Sequence, residues 1–399
     1  MAGVTPGDVQ INSCLINSPR GSLDLTQSFL SARVYESIFT QNNICEIDVF
    51  DTDDAISQLP ILGDETINFS FNPPGLTPAN YTFALDKAEL VDITGTQKGK
   101  QYTLHGVGQE TLQSKANYIQ KSYNTDIASI VSDIHTTFLK ATTELITEAT
   151  DGIQKLIIPN MKPFDAIDMI RRRAVSSANP SSTFLYFENL QGHNFKTIEG
   201  MANAGSVKTF VHGDGVGHSI FVNTYDNIIS YEVPQIVSST QRIAMGGLNQ
   251  QVATYDHRTR QYVSNPVQLA LGAMNSGAFK AAYGATAGLF SMIPFDSLVN
   301  PTNIPTSTPQ QMAYLSNVMQ CYINLKVNGD PTVMAGSTIT LNIPEALTTT
   351  GTQQLDPLIS GNYLVSGINR NIGPVDMKPR YVDIIEALTP SLAAGQSSS

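Results

Sequence analysis

Cys321-Tyr322-Ile323-Asn324-Leu325-Lys326-Val327-Asn328-Gly329 places apolar side chains at every second position and closes on Asn-Gly. Successive side chains of a strand point to opposite faces, so Cys321, Ile323, Leu325 and Val327 are expected to share one buried face. Asn-Gly is the strongest short hairpin signal, which predicts that the chain turns back at Asn328-Gly329. Downstream, Ile339, Leu341 and Ile343 alternate up to Pro344, and strands are expected over 362–368 and 381–388. These four strands read as a small barrel, completed by the β-patterned stretch over 207–237.

A second set of strands lies near the other end. Strands are expected over 33–39, 44–51, 66–71, 81–85, 88–93 and 101–107, parted by Leu62-Gly63-Asp64, Asn72-Pro73-Pro74-Gly75 and Gly95-Thr96-Gln97-Lys98-Gly99-Lys100. Short strands at this spacing again predict a barrel or sandwich. Between the two ends the periodicity changes. Ile127, Ile130, Val131, Ile134 and Phe138 fall at helical spacing behind a Thr125/Asp126 cap. Pro163 suits the first turn of a second helix, with Phe164, Ile167, Ile170 and Ala174 on one face. A hairpin follows, 183–187 against 195–198, turning through Asn189 to Gly192. The Ala/Gly/Ser/Asn-rich stretch 266–309 fits helix hairpins or a long interaction loop, and a helix is expected over 309–319.

The fold class is therefore α+β: two small antiparallel, tube-like β-barrels, formed by two separate sheets, around a mixed helical/β middle. The first barrel is expected over 1–110. The middle domain covers 111–205 and continues at 241–317. The second barrel takes 206–240 and 318–390, and 391–399 is a small-residue tail expected to be disordered. No longer repeat marks a solenoid.

Composition narrows the function. Charged residues make up 14% of the 399 residues, well below the roughly 25% of ordinary soluble domains. A surface covered by Ser, Thr, Asn and Gln suits permanent contacts with other chains, since burying a hydroxyl costs less than burying an unpaired charge. The net charge of -11 argues against wrapping nucleic acid, but not against a channel through which DNA passes. Cys14, Cys45 and Cys321 are scattered and form no CxxC, so they read as buried thiols in a reducing cytosol. No apolar run approaches the ~18 residues of a membrane span, and the first ten residues carry no signal-peptide pattern. Stable membrane binding is not expected.

No catalytic, cofactor-binding or metal-binding residue is assigned. His212-Gly213-Asp214-Gly215-Val216-Gly217-His218 offers His212, Asp214 and His218 as ligands, but without HExxH spacing or a further ligand it reads better as a glycine turn between strands. The Gly95 to Lys100 segment has its glycines too close for a phosphate loop, and Gln101 stands where Ser or Thr should be. Gly217-His218-Ser219-Ile220-Phe221 lacks the second glycine of a nucleophile elbow. Arg171-Arg172-Arg173 reads as cations at a helix C-terminus, or at most a subunit contact. Asp51, Asp53 and Asp54 read as solvated turn residues with Asx-type bonding.

Several stretches, in order, resemble the baseplate hub proteins of contractile-tailed phages, whose fold is similar to the base of type VI secretion spike proteins. Ile44-Cys45-Glu46-Ile47-Asp48-Val49-Phe50-Asp51 and Leu59-Pro60-Ile61-Leu62-Gly63-Asp64-Glu65-Thr66-Ile67 resemble that family's first barrel. Lys162-Pro163-Phe164-Asp165-Ala166-Ile167, Phe184-Leu185-Tyr186-Phe187-Glu188-Asn189 and Gly192-His193-Asn194-Phe195-Lys196-Thr197-Ile198 resemble its middle domain. Thr254-Tyr255-Asp256-His257-Arg258-Thr259-Arg260 resembles another recurrent patch. Val327-Asn328-Gly329-Asp330, Ala335-Gly336-Ser337-Thr338-Ile339 and Ser360-Gly361-Asn362-Tyr363-Leu364-Val365 resemble the second barrel. The stretch 270–288 matches nothing in the family.

The resemblance implies a structural protein rather than an enzyme, with no cofactor. It implies a homotrimeric ring whose paired barrels adapt a six-fold tail tube to a three-fold central spike and line the DNA channel. Implied partners are the spike protein, tail-tube or tube-initiator proteins, wedge or fibre proteins and a tape-measure protein, with DNA only passing through the lumen. The implied location is the virion tail baseplate, assembled in the host cytoplasm. Two other readings stay open: a receptor- or glycan-binding tail protein, and a metal-dependent wall hydrolase using His212, Asp214 and His218.

Overall fold

A computed structural model describes residues 6–52, 56, 61–91, 99–178, 182–213, 224–235, 240, 250–256, 258–267, 289–295, 311, 315, 318, 321–345, 355–356, 358–375 and 378–388. The N-terminal strands are β1 (Gln10–Ser18), β2 (Gly21–Asp24), β3 (Phe29–Ser37), β4 (Ile44–Asp51), β5 (Thr66–Asn72), β6 (Ala79–Val91) and β7 (Lys100–Val107). Their inward positions alternate as the pleat requires: Cys45, Ile47 and Val49 on β4 and Ile67, Phe69 and Phe71 on β5 are all buried. The pairing runs β3-β4-β7-β6-β5-β1-β2, antiparallel throughout. The strands expected over 81–85 and 88–93 are one strand, β6, whose register shifts between Leu85 and Lys87. A bulge there reads in sequence as a break, because the extra residue reverses the inside–outside alternation.

The middle unit opens with α1 (Gln109–Ala116) and β8 (Ile119–Thr125). Helix α2 (Ile127–Asp133) follows, and Ile134–Phe138 continues it as a π-helical turn. Asp126 caps α2 by accepting the Ser129 N–H at 2.9 Å. Strands β9 (Leu145–Thr147) and β10 (Gln154–Met161) lead to α3 (Pro163–Arg171), which starts on Pro163. The hairpin β11 (Phe184–Asn189) and β12 (Gly192–Thr197) and the short α4 (Ile198–Ala202) complete the unit. Ile127, Ile130, Val131, Ile167, Ile170, Phe184 and Phe195 form its core.

The C-terminal strands are β13 (Ser206–His212), β14 (Asn227–Gln235), β15 (Gln250–Asp256), β16 (Gln261–Val267), β17 (Leu289–Phe295), β18 (Tyr322–Asn328), β19 (Thr338–Asn342), β20 (Gly361–Val375) and β21 (Lys378–Leu388). Strands β15, β16 and β17 make their own three-stranded sheet. The others close a six-stranded barrel in the order β19-β13-β14-β18-β21-β20, with β19 pairing back onto β20. Strand β13 runs parallel to both its neighbours. Phe210, Ile323, Leu325, Val327, Ile339, Leu341, Tyr363, Val365 and Ile385 fill the barrel.

Two sequence expectations change here. Asn328-Gly329 makes no hairpin: β18 pairs with β14 and β21, and β19 lies elsewhere in the barrel. The glycine serves a close approach instead, since a Cβ at Gly329 would stand 2.3 Å from the Tyr381 ring. The two sheets are also not separate. Strands β20 and β21 run on past the second barrel, and β20 pairs with β3, so both ends belong to one 13-stranded sheet. Ile372 and Tyr381 from this shared hairpin sit in the first core. A bridge between Asp8 and Arg380, with the Tyr381 N–H donating to the Gly7 carbonyl at 2.8 Å, brings the segment before β1 against β21. Of the expected helix over 309–319 only residues 311, 315 and 318 are described, all helical, with Val318 buried; nearly all of 266–309 lies outside the described residues, apart from β17 and the end of β16. No helix among the described residues is long and apolar enough to cross a membrane.

Candidate functional site

Along β20 one inward face reads Ile368, Arg370, Ile372, passing from the second core to the first. On β21 the matching face reads Tyr381, Asp383, Ile385, and on β3 it reads Ala32, Val34, Glu36. Each of these three strands thus carries one acidic or basic residue at the waist between the cores. Arg370 is fully buried. Its Nε donates to Glu36 Oε1 at 2.8 Å, its Nη1 to the Tyr381 hydroxyl at 2.8 Å, and its Nη2 to the Val333 carbonyl at 2.8 Å. Tyr81, from β6, donates to the same Glu36 oxygen at 2.7 Å. Asp383 Oδ2 lies 3.5 Å from Nη1 and accepts the Asp330 N–H at 2.9 Å.

One guanidinium cannot neutralise two buried carboxylates. Glu36 takes the close contact. Burial pushes the Asp383 carboxyl up to about 6, against the pull of Arg370. Its Oδ1 has no partner, which is where a retained proton belongs. The cluster is a bolt: it ties β3, β6, β20, β21 and the 330–335 loop at one point.

A second buried cluster ties the first sheet to the middle unit. Asn42 and Asn43 lie in the turn between β3 and β4, Glu110 on α1, and Glu188 and His193 directly opposite each other on β11 and β12. Asn42 Nδ2 stands 3.0 Å from Glu110 Oε2, 3.1 Å from Glu188 Oε2 and 3.3 Å from His193 Nε2. The Asn43 N–H donates to Glu188 Oε2 at 2.9 Å, and His193 Nδ1 contacts the Thr143 hydroxyl at 2.9 Å. Gly108 admits the Asn42 amide, because a Cβ there would fall 2.1 Å from Nδ2. Burial, and then the charge of Glu110, pushes the Glu188 carboxyl up to about 7 against the Asn43 N–H. Burial, and then His135, holds the His193 imidazole down at about 3. A cavity of about 220 Å³ adjoins the cluster, lined in part by Asn43, Glu110, Thr143 and Glu188.

The residues weighed in the sequence fare differently. His212 ends β13 and packs edge-on against Tyr231 at 5.0 Å, while Asp214 and His218 lie outside the described residues. So do Gly95 to Lys98, Ser219 to Phe221, Asp53 and Asp54. Asp51 is not solvated: it is buried, and its carboxylate accepts the Ile56 N–H at 2.9 Å. Arg171 and Arg172 both pair with Asp168 at the end of α3, and Arg171 also donates to the Phe184 carbonyl at 3.2 Å. All three cysteines are free and buried, and burial pushes the Cys14 thiol up to about 12. Neither buried cluster has a spacing signature, since each draws on strands far apart in the chain. The one local trace is Glu188 and His193 flanking a tight turn.

No protein-family profile matches the sequence, and no curated protein matches it either. Solved structures do match. A tail protein from Neisseria meningitidis MC58 superposes with a TM-score of 0.60 at 7% identity, over 96% of this chain and 97% of its own. The 43 kDa tail protein of prophage MuSo2 from Shewanella oneidensis gives 0.58 at 10% identity, over 95% and 98%. A component of the E. coli type VI secretion system gives 0.48 at 9% identity, over 96% and 76%. The chain thus has the fold of phage tail proteins, the fold that the resemblance to baseplate hubs implies.

Proposed function

We propose that this chain is a structural hub subunit of a phage-type tail. It forms a trimeric ring that adapts a six-fold tail tube to a three-fold central spike and lines the channel for DNA. The observation that carries this reading is a single 13-stranded sheet in which a closed six-stranded barrel and the N-terminal strands meet on one shared hairpin, fixed at the waist by Arg370. A ring of alternating barrels needs the angle between the two halves of each subunit to be rigid, and a buried, multiply bonded guanidinium supplies that rigidity. The outer faces support it as well. Val207, Val211 and Ile229 are exposed on the second barrel, and Leu30, Ile44 and Leu90 on the first sheet. Such side chains suit contacts with neighbouring subunits.

The subunit performs no chemistry, needs no cofactor for its role, and resides in the virion tail baseplate after assembly in the host cytoplasm. Spike, tube-initiator, wedge or fibre, and tape-measure proteins are its partners. The division into 1–110, 111–205 with 241–317, and 206–240 with 318–390 belongs to the same reading. Mass photometry with negative-stain imaging tests it: a trimer with a central opening is expected, and solid monomers up to tens of micromolar would count against the ring.

A further inference from the structure

The Asn42 cluster gathers two carboxylates and an imidazole around one amide. The Asn42 amide has two hydrogens, yet three acceptors stand within 3.3 Å of its nitrogen. With the His193 Nε2 lone pair turned to that amide, the ring proton would lie on Nδ1 against Thr143. Asn42 itself is only 6% exposed, and its Oδ1 has no partner. Two carboxylates and an imidazole nitrogen therefore meet at one buried point, around an amide whose oxygen is turned away from them. Two carboxylates that share one buried site repel each other, so the cluster favours either a proton or a cation.

We propose that Glu110, Glu188 and His193, with Asn42, bind one divalent transition cation such as Zn²⁺ or Mn²⁺. Mixed imidazole and carboxylate donors suit these ions. The ligand atoms of Glu110, Glu188 and His193 lie within 4.8 Å of one another. Bonds of ~2.1 Å in a tetrahedral site need them roughly 3.4 Å apart, a closure within reach of side-chain rotation. A half-turn of the Asn42 amide brings Oδ1 in as the fourth ligand. The Thr143 hydroxyl then orients the imidazole from behind, as an outer-sphere partner does. The adjoining cavity gives the ion a way in. Bound there, the cation fastens α1 and the β11–β12 hairpin to the β3–β4 turn. The site does not depend on the proposed tail function.

The test uses the full-length, tag-free protein, stripped with chelator and studied at pH 8. Titration calorimetry with ZnCl₂ and MnCl₂, elemental analysis after dialysis and thermal unfolding are the readouts. One ion per chain and a Tm raised by several degrees are expected. His193→Ala and Glu188→Gln should each weaken binding at least tenfold while keeping the wild-type far-UV circular dichroism. Asn42→Asp guards against a folding failure in those variants: it should bind more tightly and be less stable than wild type without metal. No stoichiometric uptake by the wild type overturns the proposal, as does uptake unchanged in Glu188→Gln and His193→Ala. Wild type that takes up no metal, with Glu188→Gln more stable at pH 8, would instead assign the missing positive charge to a proton and equally overturn it.

Discussion

Two buried polar clusters hold this chain together, and they are balanced in different ways. At the waist, Arg370 brings its own positive charge and finds an acceptor for each of its three nitrogens. At the junction with the middle unit, the Asn42 amide offers two protons to three acceptors and leaves its own oxygen unpaired. The first cluster is complete without help, apart from the second carboxylate, Asp383. The second is short of positive charge. A joint that must never move can carry its charge covalently. A joint that waits for an ion or a proton can be tightened after folding.

The sharpest way to break the contrast is Arg370→Ala. It strands Glu36 and cuts the tie to Tyr381 and Val333, so denaturant unfolding should show a loss of about 3–5 kcal/mol. An uncharged triple change, Arg370→Met with Glu36→Gln and Asp383→Asn, should recover much of that loss. If it does not, the waist depends on something other than charge pairing.

Gly329→Ala comes next. A Cβ 2.3 Å from the Tyr381 ring forces that ring out of the first core, at a cost of about 1–3 kcal/mol by calorimetry.

Asp383 then sharpens the comparison through pH. Its carboxyl holds a proton to about pH 6 in the folded chain but releases it near 3.8 when unfolded. Between those values the folded state binds more protons, so stability should fall as pH rises through that window. The change should be of order 1–3 kcal/mol, and Asp383→Asn should remove that share of the slope. A slope unchanged in Asp383→Asn would place the excess proton elsewhere.

The smallest effect belongs to the half-exposed pair Arg33–Glu46 on β3 and β4, at 3.2 Å. Arg33→Ala should shift stability by less than ~1 kcal/mol, and even that should fade in high salt.

Much of the fold was legible. The alternation at Cys45, Ile47 and Val49 marked β4, the Asp126 cap marked α2, and Pro163 marked α3, because these signals act within a few residues. The strand pair β1 and β2 escaped the reading, although Cys14 and Ile16 alternate inward there. So did β8 and α1, which are mostly polar, and β10, in spite of its apolar Leu156 to Ile158. Glu36, Arg370 and Asp383 gave no signal, because their meaning comes from three strands meeting rather than from their neighbours in the chain.

By itself, the sequence determined where the strongly periodic strands and the capped helices form and which of their faces turn inward, since periodicity and capping are local physics. Only the tertiary structure decided that the C-terminal hairpin runs on past Ile368, where the expected strand stops, into the first core. That extension has no local cause. It exists because β3 offers an unpaired edge for β20 to cover, and a backbone hydrogen bond is satisfied by whichever strand folding brings alongside.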